Sequence, residues 1–336
     1  MDKHLDVPIA DRTSFHVPAR ARAWVDAHSL EEMAEAIRWA RAEGLPVYVL
    51  GEGANVLFVG DFQGMILHPC NRGIREEPEG EGVVLHVAAG ENWDGLVQYA
   101  VDRGYWGIEC LGGIPGSVGA APVQNIGAYG AEVGDVLVSV HSLDMHSLEP
   151  QVRLRDELQL GYRDSIFKGR LRGKEVIHEV SFRLHHQRPS QEHFMRLGMT
   201  PGEAQRATPR DVYEVVRSIR ASKLPDPATV GSAGSFFKNP VVPLDDYMRL
   251  CEKFPNAPHY PAPDGHVKLP AGWLIDQCGW KGYRQGDAGV WPQQALVLVN
   301  YGLATGKEVQ ALCQAICADV LAKTGIVLEP EVNIIA

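Results

Sequence analysis

The sequence predicts a mixed α/β fold. Three observations carry this. Strand and helix patterns alternate along the chain, two glycine-rich turns follow strand or helix candidates, and polar residues gather in a few short blocks. With 336 residues the chain is long enough for two or three domains, and its apolar and charged fractions are those of an ordinary globular protein. The formal charge of −10 argues against a nucleic-acid binder that works by general attraction, so anionic ligands must be met by local basic groups and backbone amides. The first fifteen residues lack a signal-peptide core, and the longest apolar run, 295–299, is too short to span a bilayer; a cytoplasmic protein without membrane insertion is expected. Six cysteines without a CxxC pair point to reduced thiols.

Taken in order, Ser29 and Glu32 read as a capping box for an amphipathic helix over 30–43, which Gly44 and Pro46 end. A strand at 45–50 runs into GEGANVLF. Val56 stands where a dinucleotide fingerprint needs its third glycine, and no helical pattern follows. A strand at 83–90 and a helix at 91–103 lead to residues 107–130, GIECLGGIPGSVGAAPVQNIGAYG. Glycine and proline this dense suit neither helix nor strand, so the run is expected to be a loop of exposed amides able to approach a pyrophosphate; tight packing is the competing reading. Strands follow at 136–145 and 175–186. In the second, Val176, His178, Val180, Phe182 and Leu184 are expected on one face, with His178 a core histidine; HExxH is absent and no metal is expected.

The stretch 187–207 has no clear period and reads as a domain boundary. Thr208 and Pro209 open a helix whose stripe is Val212, Val215, Val216 and Ile219. Helices near 243–254, 270–278 and 306–322, a strand at 295–300 and a final strand at 326–335 complete the chain. GLATGK at 302–307 is not a Walker loop, being one residue short and lacking the Ser or Thr. Four polar blocks remain. GYRDSIFK is a turn, where a structural Arg–Asp pair competes with a ligand site. GSAGSFFKNP exposes Ser235 after Gly234 as a proton donor or nucleophile without the GxSxG of a hydrolase. Asp276 and Gln277 belong to a packed helix end. Glu329 and Glu331 share one side of a strand unless Pro330 bends it.

TSFHVPARA at 13–21, LGEGANVLF, the central loop, GYRDSIFK, KLPDP, GSAGSFFKNP, AGWLIDQCG, QQALVLVN and LEPEV together resemble, in order and nearly end to end, the blocks of the UDP-N-acetylenolpyruvoylglucosamine reductase family. LEPEV and the length resemble its subclass with a longer substrate domain. The resemblance implies an α+β fold: a two-lobed FAD-binding domain of the vanillyl-alcohol-oxidase (PCMH) type, lobes 1–70 and 71–200, then an α/β substrate-binding domain at 201–336 whose last strand packs back on the flavin domain. It implies a monomer with non-covalent FAD and NADPH that reduces UDP-N-acetylglucosamine enolpyruvate to UDP-N-acetylmuramate for peptidoglycan. The catalytic positions fall on Arg163, Ser235 and Glu331. Gly51, Gly53, Ala54, Asn55, Val56 and Leu57 of the first turn would meet the cofactor. So would Gly113, Ile114, Pro115, Gly116, Ser117, Gly119 and Ala120, then Gln124, Asn125, Gly127, Ala128 and Tyr129, of the second. Tyr162, Lys223, Lys238, Asn239 and Gln294 fall at substrate-binding positions.

The chain departs from the family at Thr13–Ser14–Phe15, where Asn-Thr-Phe is usual, at Ala120–Ala121, where a glycine is common, and at Trp291. The subclass tyrosine has no counterpart in 187–207. An FAD-dependent sugar or alcohol oxidase, for which His16 is the one early candidate tether, and a redox-inactive nucleotide-sugar binder are the competing readings.

Overall fold

The computed structural model describes residues 1–189, 194 and 197–336, and the chain divides into two compact units. The first comprises residues 1–7, 21–52 and 63–220; the second comprises 8–20, 53–62 and 221–336. The first unit therefore keeps most of the helix Pro209–Lys223, which follows the sequence-expected boundary at 200.

The first unit is built on two sheets. One has the strand order Asp2–Pro8, Arg20–Ala27, Phe62–Pro69, Val47–Val49. The helix Leu30–Ala42 buries Met33, Ala36, Ile37 and Ala40, and these share a core with Met65, Leu67 and Val25 of that sheet. Spacing of three and four residues puts those apolar groups on one stripe. Only half of the expected capping box forms. Ser29 accepts from the Glu32 N–H at 3.3 Å, but the Glu32 carboxylate takes the His28 N–H and the Met1 amino group instead.

The other sheet has the order Pro150–Leu154, Leu137–Asp144, Glu175–His185, Gly82–Ala88, Ile74–Glu79, with every neighbouring pair antiparallel. Glu175–His185 does not keep one face throughout. His141 pairs with Glu179 and Ser142 with Ile177, which leaves His178 as the extra residue of a bulge. A bulge inverts the alternation. Ile177 consequently joins Val180, Phe182 and Leu184 in the core under the helix Trp93–Asp102, whereas Val176 enters the other core with Met33 and Leu67. His178 is half-buried beside His141, and burial followed by that neighbour's charge lowers its pKa.

In the second unit, Gly231–Ser235, Val297–Asn300, Ala288–Val290 and Arg284–Gln285 form an antiparallel sheet. A three-stranded sheet of Val241–Pro243, His266–Lys268 and Tyr260–Pro261 stands with helices Leu244–Lys253, Ala271–Gln277 and Gly306–Thr324. Thr305 and Glu308 make a complete capping box, and Gly325, at φ 75°, closes the helix in the left-handed conformation that glycine adopts without strain. Val309, Leu312, Cys313, Ile316 and Val320 are buried on one side, as their spacing predicts. The final strand is shorter than expected. Only Asn333–Ile335 pairs, in parallel, with Val56–Phe58, a segment of the expected first flavin lobe.

The stretch 187–207, expected to be irregular, holds the helix Pro201–Arg206, capped by Thr200 and Glu203. Ala204 is its one buried residue, so no periodic stripe signalled it. Residues 190–193, 195 and 196 of that stretch lie outside the described residues. All six cysteines are free.

Candidate active site

The two glycine turns meet inside the first unit. A Cβ built on Gly51 would collide with the Ser117 hydroxyl and come within 3.7 Å of the Ala120 Cβ. The neighbouring Asn92 donates to both oxygens of Glu52 at 2.8 and 3.0 Å while its own oxygen caps the helix at Gly95. The central loop is less open than its composition implies. Gly113 N–H donates to Asp94 at 2.6 Å, Gly119 N–H to the Ala89 carbonyl at 2.9 Å, and Val118 N–H to the Glu91 carbonyl at 2.8 Å. Those amides are committed within the protein. Gly119 is needed for contact, since a Cβ there would sit 2.6 Å from that of Ala89. Pro115 and Ala120 are exposed, and Ile114, Gly116, Gln124, Gly127 and Ala128 are half-buried.

Behind the loop lies a cluster that sequence reasoning missed. Arg220 donates to the Gly113 carbonyl at 3.0 Å; Asp94, besides taking the Gly113 N–H, accepts from the Tyr213 hydroxyl at 3.2 Å and from Gln98 at 3.1 Å. Gly113, at φ 69°, is thus held at its N–H and its C=O at once. Burial lowers the Arg220 pKa, and the nearby Arg163 cation adds to this against the pull of Tyr129 and Asp94. The signal in the sequence was positional: Arg220 continues the buried stripe Val212, Tyr213, Val216, where an apolar residue belongs.

Arg163 sits at φ 54° in the turn closed by the Gly161–Asp164 bridge, and its Nη2 donates to the Gly127 carbonyl at 2.7 Å. A non-glycine residue in the left-handed region is uncommon and marks a site held by its surroundings. Its guanidinium lies 5.5 Å from the Tyr162 ring centre. Asp164 caps the Ser165 N–H at 2.9 Å. Tyr129, also in the left-handed region at φ 53°, follows the strand Gly127–Ala128; burial raises its pKa. The Asn125 side chain is buried and committed to structure, donating to Glu132 and the Gly161 carbonyl and accepting from Gly134 N–H. Its backbone N–H is taken as well, by the Pro122 carbonyl at 3.3 Å.

In the second unit Gly53, at φ 66°, packs on Arg12 and Thr13, and the Gly53 carbonyl accepts from Ser14 N–H at 3.1 Å. The departing Thr13–Ser14 pair thus holds the turn. Ala54 and Asn55 are half-buried, while Val56 and Leu57 are buried strand residues. Gly234, at φ 67°, falls where pairing shifts between Ser232 and Ser235, and it turns the half-buried Ser235 at the strand end.

From there the chain runs antiparallel to LEPEV. Phe237 bridges Pro330, Glu331 N–H donates to the Phe236 carbonyl at 2.8 Å, and Lys238 N–H to the Glu329 carbonyl at 2.9 Å. The segments that carry Ser235 and Glu331, far apart in sequence, are brought side by side by this pairing, with Glu331 opposite Phe236. The two glutamates do not share an environment, because Glu331 is 9% exposed whereas Glu329 is exposed and faces Lys238 at 3.4 Å. Asn239 accepts from Ala271 N–H at 2.9 Å at the start of Ala271–Gln277, and Gln294 accepts from Leu296 N–H at 3.3 Å. Lys223 is exposed at the end of its helix. Both ring nitrogens of His16 face backbone carbonyls, those of Ala10 at 3.2 Å and Pro227 at 2.9 Å, which leaves neither turned to a flavin tether.

The chain is 43% identical, over the full length of both proteins, to the UDP-N-acetylenolpyruvoylglucosamine reductase of Porphyromonas gingivalis. It belongs to that family. The reductase of Chromobacterium violaceum is 49% identical over 85% of each chain. The family model for the UDP-N-acetylenolpyruvoylglucosamine reductase C-terminal domain matches residues 226–335, and that for an FAD binding domain matches 21–146. Among solved structures, the UDP-N-acetylenolpyruvylglucosamine reductase of Thermus caldophilus covers the whole chain and 98% of its own, with a TM-score of 0.68 and 26% identity. Membership in this family accounts for the order of the two parts: the FAD binding domain spans both glycine turns, and the reductase C-terminal domain spans Ser235, Asn239, Gln294 and Glu331.

The residues fit a dinucleotide. The turns approach each other closely at Gly51 and Ser117, and Arg163 and Arg220 place positive charge beside the loop in a chain of net −10.

Proposed function

We propose that this reductase reduces the enolpyruvyl group of UDP-N-acetylglucosamine enolpyruvate with NADPH, giving the UDP-N-acetylmuramate of peptidoglycan synthesis, and that Arg163, Ser235 and Glu331 carry the chemistry. Full-length identity to the Porphyromonas gingivalis reductase carries the reading of the reaction. The antiparallel run of Phe236–Lys238 beside Glu329–Glu331, which makes neighbours of two distant motifs, supports the reading of the residues.

When bound, FAD supplies the hydride, drawn from NADPH, that adds to the enolpyruvyl double bond. The segments 51–57 and 113–129 would hold it, with Arg220 beside the loop countering anionic charge. Charge released by that addition moves toward C2 and the carboxylate of the substrate. The Arg163 guanidinium, fixed by its turn and by Gly127, stabilises it through charge-assisted hydrogen bonds. Glu331 polarises the carboxylate. Ser235 donates a proton to C2 and so sets the configuration; a hydroxyl is a weak acid, and its use here depends on a strongly basic carbon and close placement. Tyr162, Lys223, Lys238, Asn239 and Gln294 bind the nucleotide-sugar, Asn239 and Gln294 through the groups their structural bonds leave over.

The flavin lobes are 1–70 and 71–200 and the substrate domain is 201–336. Six free thiols and nucleotide substrates favour the cytoplasm, and no helix among the described residues is long and apolar enough to cross a membrane. We propose that the chain acts as a monomer.

The test is stopped flow on Ser235→Ala. NADPH should bleach the bound flavin at nearly the wild-type rate, while the colour returns slowly on adding the enolpyruvyl nucleotide. Normal return would remove Ser235 from the mechanism, and return with oxygen alone would favour an oxidase.

A further inference from the structure

Asp26, His68 and Cys70 converge on two neighbouring strands of the first unit. Asp26 lies near the end of Arg20–Ala27, His68 near the end of Phe62–Pro69, and Cys70 follows that strand with its N–H on the Ala27 carbonyl at 2.7 Å. One ligand atom from each residue lies within 4.8 Å of the other two. The Cys70 sulfur is 3.6 Å from Asp26 Oδ1, which also accepts from the Trp24 indole at 2.8 Å. Zinc bonds of about 2.0–2.3 Å set tetrahedral donors about 3.3–3.8 Å apart, so this separation already matches.

The histidine is prepared for the same task. Its Nδ1 lies 2.8 Å from the Leu50 carbonyl. A carbonyl only accepts, so Nδ1 carries a proton and Nε2 is the nitrogen left to serve as a ligand. A backbone carbonyl that fixes the tautomer in this way is the usual support of a metal-bound histidine. The Trp24 ring packs against the imidazole, with centres 5.2 Å apart. All three candidate ligands are half-buried, so solvent can reach a fourth position.

We propose that Asp26, His68 and Cys70 form a site for a zinc-class divalent cation, with a carboxylate, an imidazole and a thiolate as ligands and water completing the shell. A thiol among the donors disfavours magnesium and calcium, which take oxygen. On binding, the Cys70 S–H proton leaves for solvent and its bond to Asp26 is replaced by two bonds to the ion. Carboxylate and thiolate then balance the two positive charges. Without metal the thiol stays protonated, because burial and then Asp26 push it up to about 11 against the pull of Arg72. The ion would clip the two strand ends together and, through His68 and Leu50, steady the residue that precedes Gly51. No catalytic step passes through it. His68-Pro69-Cys70 is too short a motif to announce such a site, and Asp26 joins it only through strand pairing.

The test is equilibrium dialysis of the full-length, FAD-loaded protein against zinc chloride, followed by metal analysis. About one zinc per chain is expected. Cys70→Ser and His68→Ala should each weaken retention by more than about tenfold, whereas Cys317→Ser, which alters another half-buried thiol, should not. Cobalt(II) should give a near-ultraviolet thiolate band in the difference spectrum that disappears with Cys70→Ser. Melting temperatures taken without metal certify that the variants are folded. Failure of the wild-type protein to hold zinc would overturn the proposal, as would equal retention by the folded Cys70→Ser and His68→Ala variants, which would leave a hydrogen-bonded thiol and carboxylate.

Discussion

Replacing Gly51 with alanine tests whether contact between the two glycine turns sets cofactor affinity. The Gly51 φ is not in the left-handed region, so a methyl group costs little in backbone strain and the effect is steric. The new Cβ overlaps the Ser117 hydroxyl and lies 3.3 Å from the Ser117 Cβ. Ser117 is 6% exposed, so its hydroxyl must rotate into a packed neighbourhood or the turns must separate. Overpacking of this kind costs about 1–3 kcal/mol. Expressed wholly in the FAD-bound form, that is about 5- to 150-fold weaker FAD binding. Ser117→Ala removes the overlapping oxygen and leaves only the 3.3 Å approach, which a shift of a few tenths of an ångström relieves. The double variant should therefore recover most of the loss, with a coupling of about 1–2 kcal/mol between the sites. Flavin fluorescence on titrating apoprotein with FAD gives the affinities, and urea melts of the apoproteins separate folding from binding. Wild-type affinity in Gly51→Ala, or a loss that Ser117→Ala leaves untouched, would refute the contact as the cause.

Two further expectations concern stability. Glu109 is 2% exposed, accepts the Gly107 N–H at 2.6 Å, and has its pKa raised from 4.5 by burial. The folded state therefore holds the proton more tightly than the unfolded chain, and its contribution is complete below about pH 4.5 and lost as pH rises through the raised value. Glu109→Gln removes that dependence, so its melting temperature relative to wild type should climb with pH above about 4.5 and then level off; a flat difference would contradict the argument. At the start of Gly306–Thr324, Thr305→Ala should cost about 1 kcal/mol in urea denaturation through the lost cap. Gly306→Ala should cost more, because its Cβ would strike the Phe58 backbone, which has nowhere to rotate. A smaller loss at Gly306 than at Thr305 would show that this approach relaxes.

Where a signal lies within one element, the sequence determined the outcome. The stripe of Val309, Leu312, Cys313, Ile316 and Val320 and the Thr305 cap specify a helix because residues three and four apart share a face whatever surrounds them. The ordered motif blocks likewise carry the family, and so the reaction. Tertiary structure decided the relations between elements. The bulge at His178 moved Ile177 to the face assigned to its neighbours, since cross-strand pairing and not local propensity fixes register. Arg220 meets the Gly113 carbonyl only because the fold packs its helix behind the loop. Gly113 and Gly119 looked like open amides, yet Asp94 and Ala89 had taken their N–H groups. Phe237 beside Pro330, Gly51 against Ser117, and Asp26 beside His68 and Cys70 each join segments distant in sequence. No period or spacing encodes such pairs, because their distances are set by the sheets and cores that close the chain on itself.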